Sequence, residues 1–175
     1  MLVALALGGW WDVPPFARLK WTWGGLAAGI AATAPLLLGL GWALRTSWPP
    51  MVRLVELVEE RIGPLFAGAG RGELALVALL AGLGEEALFR GVLQDALTGR
   101  MPVWAALLLA SVLFGAAHWV TSTYALLAAV VGLYLGVLYH LTGNLLAPIV
   151  THALYDLVAL SVLAAVKPAP ARSVL

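Results

Sequence analysis

The chain is 175 residues long, 62% hydrophobic and only 11% charged, with a mean hydropathy of +0.96. Soluble domains are about 45–50% apolar and about 25% charged, so this composition points to a membrane protein, and the length suits one compact domain. The net charge of +1 offers no basic stripe for a nucleic-acid partner, and the absence of cysteine excludes disulfides, thiolate metal sites and cysteine nucleophiles.

The N-terminus, "MLVALALGGWW", is apolar but has no basic region before it. It therefore does not read as a signal peptide. It reads as an interfacial or partial segment, with Trp10 and Trp11 at headgroup level. No lipidation motif is present at either end.

A spanning helix needs about 20 mostly apolar residues. Trp21 to Leu44 meets this without a charge, between Lys20 and Arg45. In "PPMVRLVELVEERIG", apolar residues recur among Arg53, Glu56, Glu59, Glu60 and Arg61. That pattern predicts an amphipathic helix lying on the membrane surface. A second span is expected at 74–97 and a third at 103–120, where Pro102 opens the helix. "TST" at 121–123 breaks the run before a fourth span at 124–140. "LTGN" at 141–144 is a turn, followed by a fifth span at 145–166. The expectation is an all-α, multi-pass transmembrane bundle of about five spans and one interfacial helix. Arg45, Arg53, Arg61, Arg71, Lys167 and Arg172 fall on one side, which the positive-inside rule assigns to the cytoplasm.

Few ionisable residues fall inside these spans: Glu85, Glu86, Arg90, Asp95, His118 and Asp156, with His152 close by. Each charge near the bilayer centre costs about 2.5–3.5 kcal/mol on insertion scales. Such groups face the bundle interior, pair with one another and mark sites. Glu86 and Arg90 are four apart and share a helix face, as a structural clamp. Glu85 is turned about 100° away and has Phe89, not a cation, at its own i+4 position. An unpaired carboxylate of this kind is a candidate general base. In "FGAAH", Phe114 and His118 lie one turn apart, with small residues between that let a neighbouring helix approach. In "HALYD", His152 and Asp156 share a face, which suits either an oriented imidazole or a plain helix–helix bond. His140 and Asn144 have the same spacing but straddle a turn. His140 is expected at an interface, and Asn144 as the cap of the last helix.

Several chemistries lack their parts. The H-E-x-x-H of zinc proteases is absent. Ser111 and Ser161 have no nucleophile motif and no evident base. "GLGE" and "YD" match the two-aspartate intramembrane proteases poorly, with a glutamate for an aspartate and the order reversed.

Together, "EEALFR", "FGAAH" and "HALYD" follow E-E-x-x-x-R, F-x-x-x-H and H-x-x-x-N/D. In this the chain resembles the CPBP family (CAAX protease and bacteriocin-processing), also called the Abi or type II CAAX prenyl endopeptidase-like family. The resemblance runs from about Glu73 to Val166 and takes in "TGNLLAPIVTHALYD". It implies an intramembrane endopeptidase acting on a membrane-associated protein or peptide in the lipid bilayer. It also implies roles. Glu85 activates the attacking water with His118 beside it. Glu86 and Arg90 hold the site together, with Phe114 as support. His152 and Asp156 stabilise the oxyanion or bind the substrate end. The family includes asparagine at the last position, and an ionised Asp156 cannot donate a hydrogen bond to an oxyanion. Both a glutamate and a metallo-protease mechanism stay open, the latter with a divalent metal such as zinc at Glu85, His118 and His152. The implied organisation is an N-terminal unit at 1–72, a catalytic core at 73–166 and a loose tail at 167–175. The site is expected in a cavity open to the cytoplasm, in the plasma membrane. The rival expectations are a non-catalytic immunity or scaffold protein, and an ion or proton pathway through the same carboxylates.

Overall fold

The structure, a computed structural model, describes residues 1–165. Val166 and the expected loose tail at 167–175 lie outside the described residues. All regular elements among the described residues are helical, in the order α1 (Leu2–Trp11), α2 (Trp23–Ala43), α3 (Pro49–Arg61), α4 (Gly63–Phe66), α5 (Arg71–Glu86), a π-helical stretch (Ala87–Gln94), α6 (Asp95–Thr98), α7 (Val103–Ala117), α8 (Ser122–Thr142) and α9 (Leu146–Ala165).

Among the described residues, three helices are long and apolar enough to cross a membrane: α2, α8 and α9. They match the first, fourth and fifth expected spans closely. The other two expected spans take different forms. The stretch at 74–97 is divided among α5, the π-helical stretch and α6. The stretch at 103–120 ends as α7 at Ala117, after 15 residues. At 1.5 Å per residue that is about 22 Å, against a hydrocarbon core of about 30 Å. Among the described residues, then, three of the five expected spans qualify by length and composition. The N-terminal segment is a ten-residue helix, too short to span.

Local chemistry sets the helix ends. Thr22 and Thr121 are N-caps whose hydroxyls accept from the Gly25 and Tyr124 amides, each at 3.1 Å. Glu73 Oε2 reaches back to the Gly70 amide at 2.8 Å and steadies the start of α5. Gly143, with φ of 57°, ends α8 in the left-handed conformation that glycine adopts without strain. In α3, Met51 and Leu54 are buried while Arg53, Glu56, Glu60 and Arg61 are exposed, as its amphipathic pattern requires.

Helix α9 is the hub. It packs against α5 and α2, while α8 packs chiefly against α7. The contact with α2 is close because Gly29 has no side chain there, and Thr151 donates to the Gly29 carbonyl at 2.9 Å. Trp23 and Trp42 lie near the two ends of α2, with Trp104 and Trp119 at the ends of α7, all exposed. That is the placement of aromatic rings at the two interfaces of a bilayer.

Asn144 does more than cap α9. Its Oδ1 accepts from the Leu146 amide and from the Lys20 amide, both at 3.0 Å. Its Nδ2 donates to the Lys20 carbonyl at 2.9 Å and to Thr22 Oγ1 at 3.1 Å. One buried amide thus fixes the lead into α2 against the start of α9. Losing these partners leaves buried backbone groups unsatisfied, at about 1–3 kcal/mol each. Asn144→Ala is therefore expected to lose at least about 2 kcal/mol of stability in detergent. Thermal unfolding checks this, and an unchanged midpoint contradicts the role.

Candidate active site

Helix α5 ends at Glu86, and the π-helical stretch that follows carries Arg90 and Gln94. π-Helical turns are rare and concentrate at functional sites. Glu86 is 0% exposed and Arg90 2%, so both charges need partners. Arg90 Nη1 donates to Glu86 Oε1 at 2.8 Å, and Arg90 Nη2 donates to the Gly132 carbonyl at 2.7 Å. The guanidinium carbon also stands 4.8 Å from the centre of the Phe114 ring, a favourable cation–π placement. One turn on, Gln94 Nε2 repeats the contact to the Gly136 carbonyl at 3.0 Å.

This ladder depends on Gly132 and Gly136. A Cβ on Gly132 meets Phe114 at 3.2 Å, and one on Gly136 meets Gln94 Oε1 at 2.9 Å. Small residues at both places let the carbonyls of α8 reach the polar side chains. Gln94 and the two glycines were missed in the sequence. The available signals were "GLYLG" in α8, a G-x-x-x-G, and the i, i+4 spacing of Arg90 and Gln94.

The third partner comes from α9. His152 Nδ1 stands 2.7 Å from Glu86 Oε1, the same oxygen that takes Arg90. His152 Nε2 stands 3.4 Å from Asp156 Oδ2 and 3.9 Å from Glu85 Oε2. Each ring nitrogen faces a carboxylate, and only a doubly protonated imidazole donates to both.

Glu85 points into a different environment. Its Oε2 is buried and makes no hydrogen bond, with His118 Nε2 3.3 Å away as a charge contact. His118 caps α7 at φ −101° and ψ 22°, just past the helix end rather than within a span. Its Nδ1 is 2.8 Å from the Phe114 carbonyl and donates to it. That fixes Nε2 toward Glu85. Phe114 lies beneath, with its ring centre 4.3 Å from that of His118 and 6.2 Å from that of His152.

The structure therefore brings Glu85, Glu86, Arg90, Phe114, His118, His152 and Asp156 together from α5, the π-helical stretch, the end of α7 and α9. Three carboxylates face one guanidinium and two imidazoles, so the cluster can balance its own charge. It borders the bundle surface: the side chains of Glu85, Asp156 and His118 keep 33%, 27% and 25% of their area exposed. Two hollows of the surface lie elsewhere, one beside Thr22 and Asn144 and one between Leu65 and Val77. Asp95 stands apart, accepting from the Tyr139 hydroxyl at 2.8 Å, with Arg18 Nε at 3.4 Å. His140 is exposed near the end of α8 and does not share a helix with Asn144.

Among the described residues, no three histidine, aspartate or glutamate side chains are arranged to hold a metal ion.

A helical membrane protein with buried carboxylates set against imidazoles is equipped for acid–base hydrolysis. Its sequence is matched over residues 70–158 by the family model described as type II CAAX prenyl endopeptidase Rce1-like. The chain belongs to that family, and the match favours a peptidase over a scaffold or an ion pathway. Comparison with curated proteins and with solved structures gives no match.

Removing either partner of the Glu86–Arg90 pair leaves the other as an uncompensated buried charge or donor. Such losses cost about 3–5 kcal/mol. Glu86→Gln and Arg90→Ala are each expected to lower the unfolding midpoint in detergent markedly. Melting that matches the wild type contradicts the clamp.

Proposed function

We propose that the chain is an intramembrane endopeptidase in which Glu85 activates the water that attacks the scissile peptide bond. The observation that carries this reading is the Glu85 oxygen: buried, without a hydrogen bond, and placed between imidazoles from two other parts of the chain at 3.3 and 3.9 Å. In the reaction, the water oxygen attacks the carbonyl carbon as its proton passes to Glu85. The carbonyl π pair moves onto the carbonyl oxygen. When the intermediate collapses, the C–N bond breaks and the proton held by Glu85 passes to the leaving amine. His118 stands beside Glu85, with Nε2 3.3 Å from its Oε2. Glu86 and Arg90 hold the scaffold, while His152 and Asp156 bind the substrate beside the scissile bond. A carboxylate in a low-dielectric site is a stronger base than in water, and fixed dipoles act more strongly there.

The proposed substrate is a membrane-associated protein or peptide, and the family description points to a prenylated C-terminus. Chain order supports access from the cytoplasm. His118 and the start of α8 follow the C-terminal end of α7, on the side that also holds Arg45, Arg53, Arg61 and Arg71. The positive-inside rule makes that side cytoplasmic. The membrane proposed is the plasma membrane.

Two outcomes are expected with the purified protein in detergent and a fluorogenic farnesylated C-a-a-X peptide. Glu85→Gln loses at least about 10³-fold in kcat while keeping the wild-type unfolding midpoint. Full activity in that variant removes Glu85 as the base. Wild-type cleavage also survives dialysis against a zinc chelator. Loss that added zinc restores assigns the water to a metal at Glu85, His118 and His152.

A further inference from the structure

The proposed reaction creates a negative oxygen, and a donor fixed in advance is needed to stabilise it. The donors of the cluster are already engaged. Arg90 is held by Glu86 and the Gly132 carbonyl, His152 lies between Glu86 and Asp156, and His118 Nδ1 is on the Phe114 carbonyl. Ionised Asp156 only accepts.

The chain has four tyrosines. Two have hydroxyls committed elsewhere: Tyr134 donates to the Ala32 carbonyl and Tyr139 to Asp95, each at 2.8 Å. Among the described residues, the hydroxyls of Tyr124 and Tyr155 bond to no protein group, yet neither is sealed from contact as the orphaned carboxylate oxygens are. Of the two, Tyr124 is the one whose ring pairs with a ring of the cluster among the described residues. The Tyr124 ring lies edge-on to His118, with centres 6.3 Å apart. Its backbone is anchored in the first turn of α8, where its amide donates to Thr121 Oγ1. The short connection from His118 to Tyr124 therefore carries two groups of one site.

We propose that the Tyr124 hydroxyl is the oxyanion donor of this enzyme, supplying the hydrogen bond that Asp156 cannot give. The proposal rests on the endopeptidase reading. The hydroxyl donates to the carbonyl oxygen as the water attacks and keeps its proton throughout, while the water's proton goes to Glu85 and on to the leaving amine.

Tyr124→Phe removes one oxygen and keeps the ring. With the farnesylated peptide, kcat is expected to fall about 10²–10³-fold with KM changed less than about two-fold. Tyr134→Phe makes the same change in the same helix, away from the cluster, and keeps the wild-type kcat. A phosphonate analogue of the peptide carries a tetrahedral anionic centre. Its affinity is expected to weaken by a factor similar to the loss in kcat in Tyr124→Phe alone, whether or not the peptide itself is turned over. Unchanged kcat and unchanged phosphonate affinity in Tyr124→Phe overturn the proposal and leave the endopeptidase reading standing. Equal losses in Tyr124→Phe and Tyr134→Phe also overturn it, as a structural effect. Wild-type protein that neither cleaves the peptide nor binds the phosphonate overturns both readings together.

Discussion

One oxygen atom, Glu86 Oε1, holds the bundle together where it is most polar. It accepts from Arg90 at 2.8 Å and lies 2.7 Å from His152 Nδ1. Arg90 extends the link to the Gly132 carbonyl of α8. The end of α5, the π-helical stretch, α8 and α9 are thus joined through a single buried carboxylate. Ions in an apolar interior are tolerated only when paired and hydrogen-bonded, and removing one member exposes the full desolvation cost of the other. The sequence around Glu86 is therefore tightly constrained. Gly132 must stay small so that its carbonyl can be reached, and Phe114 must offer its ring to the guanidinium.

This constraint leaves Glu85 free. With Glu86 occupied by Arg90 and His152, the neighbouring glutamate is turned to a less enclosed side, where 33% of its side chain stays exposed. Two adjacent residues of one type thus take two environments. Each keeps one buried oxygen without a hydrogen bond, but Glu86 is tied through its other oxygen to Arg90 and His152, whereas Glu85 faces His118 across 3.3 Å. The division follows from the 100° step between successive helical residues. In the proposed reaction, the charges that hold the structure are thereby separate from the carboxylate that takes the water's proton.

Much of this was legible in the sequence because it depends on spacing within one helix. Glu86 with Arg90, and His152 with Asp156, meet as their i, i+4 separation requires. The long apolar runs became α2, α8 and α9. Less legible were contacts whose partner is a backbone carbonyl, such as Gln94 on Gly136, since a carbonyl has no letter of its own. The π-helical stretch was hidden for the same reason: its wider turn is a backbone property, and "ALFRGVLQ" reads equally well as an α-helix. His118 was placed inside a span because "FGAAHWV" stays apolar, while the helix stops at Ala117. The four bonds of Asn144 join residues more than 120 apart in sequence where they involve Lys20 and Thr22, and no periodicity reports that.

In the proposed reaction water, and not the carboxylate itself, attacks the peptide bond. A single turnover in H₂¹⁸O, with enzyme in excess over the farnesylated peptide, tests this by mass spectrometry of both product and protein. One ¹⁸O is expected in the new C-terminal carboxylate of the product and none in the enzyme fragment that contains Glu85. An ¹⁸O atom incorporated into that fragment during turnover would show that Glu85 had formed an anhydride with the substrate, and would contradict the mechanism.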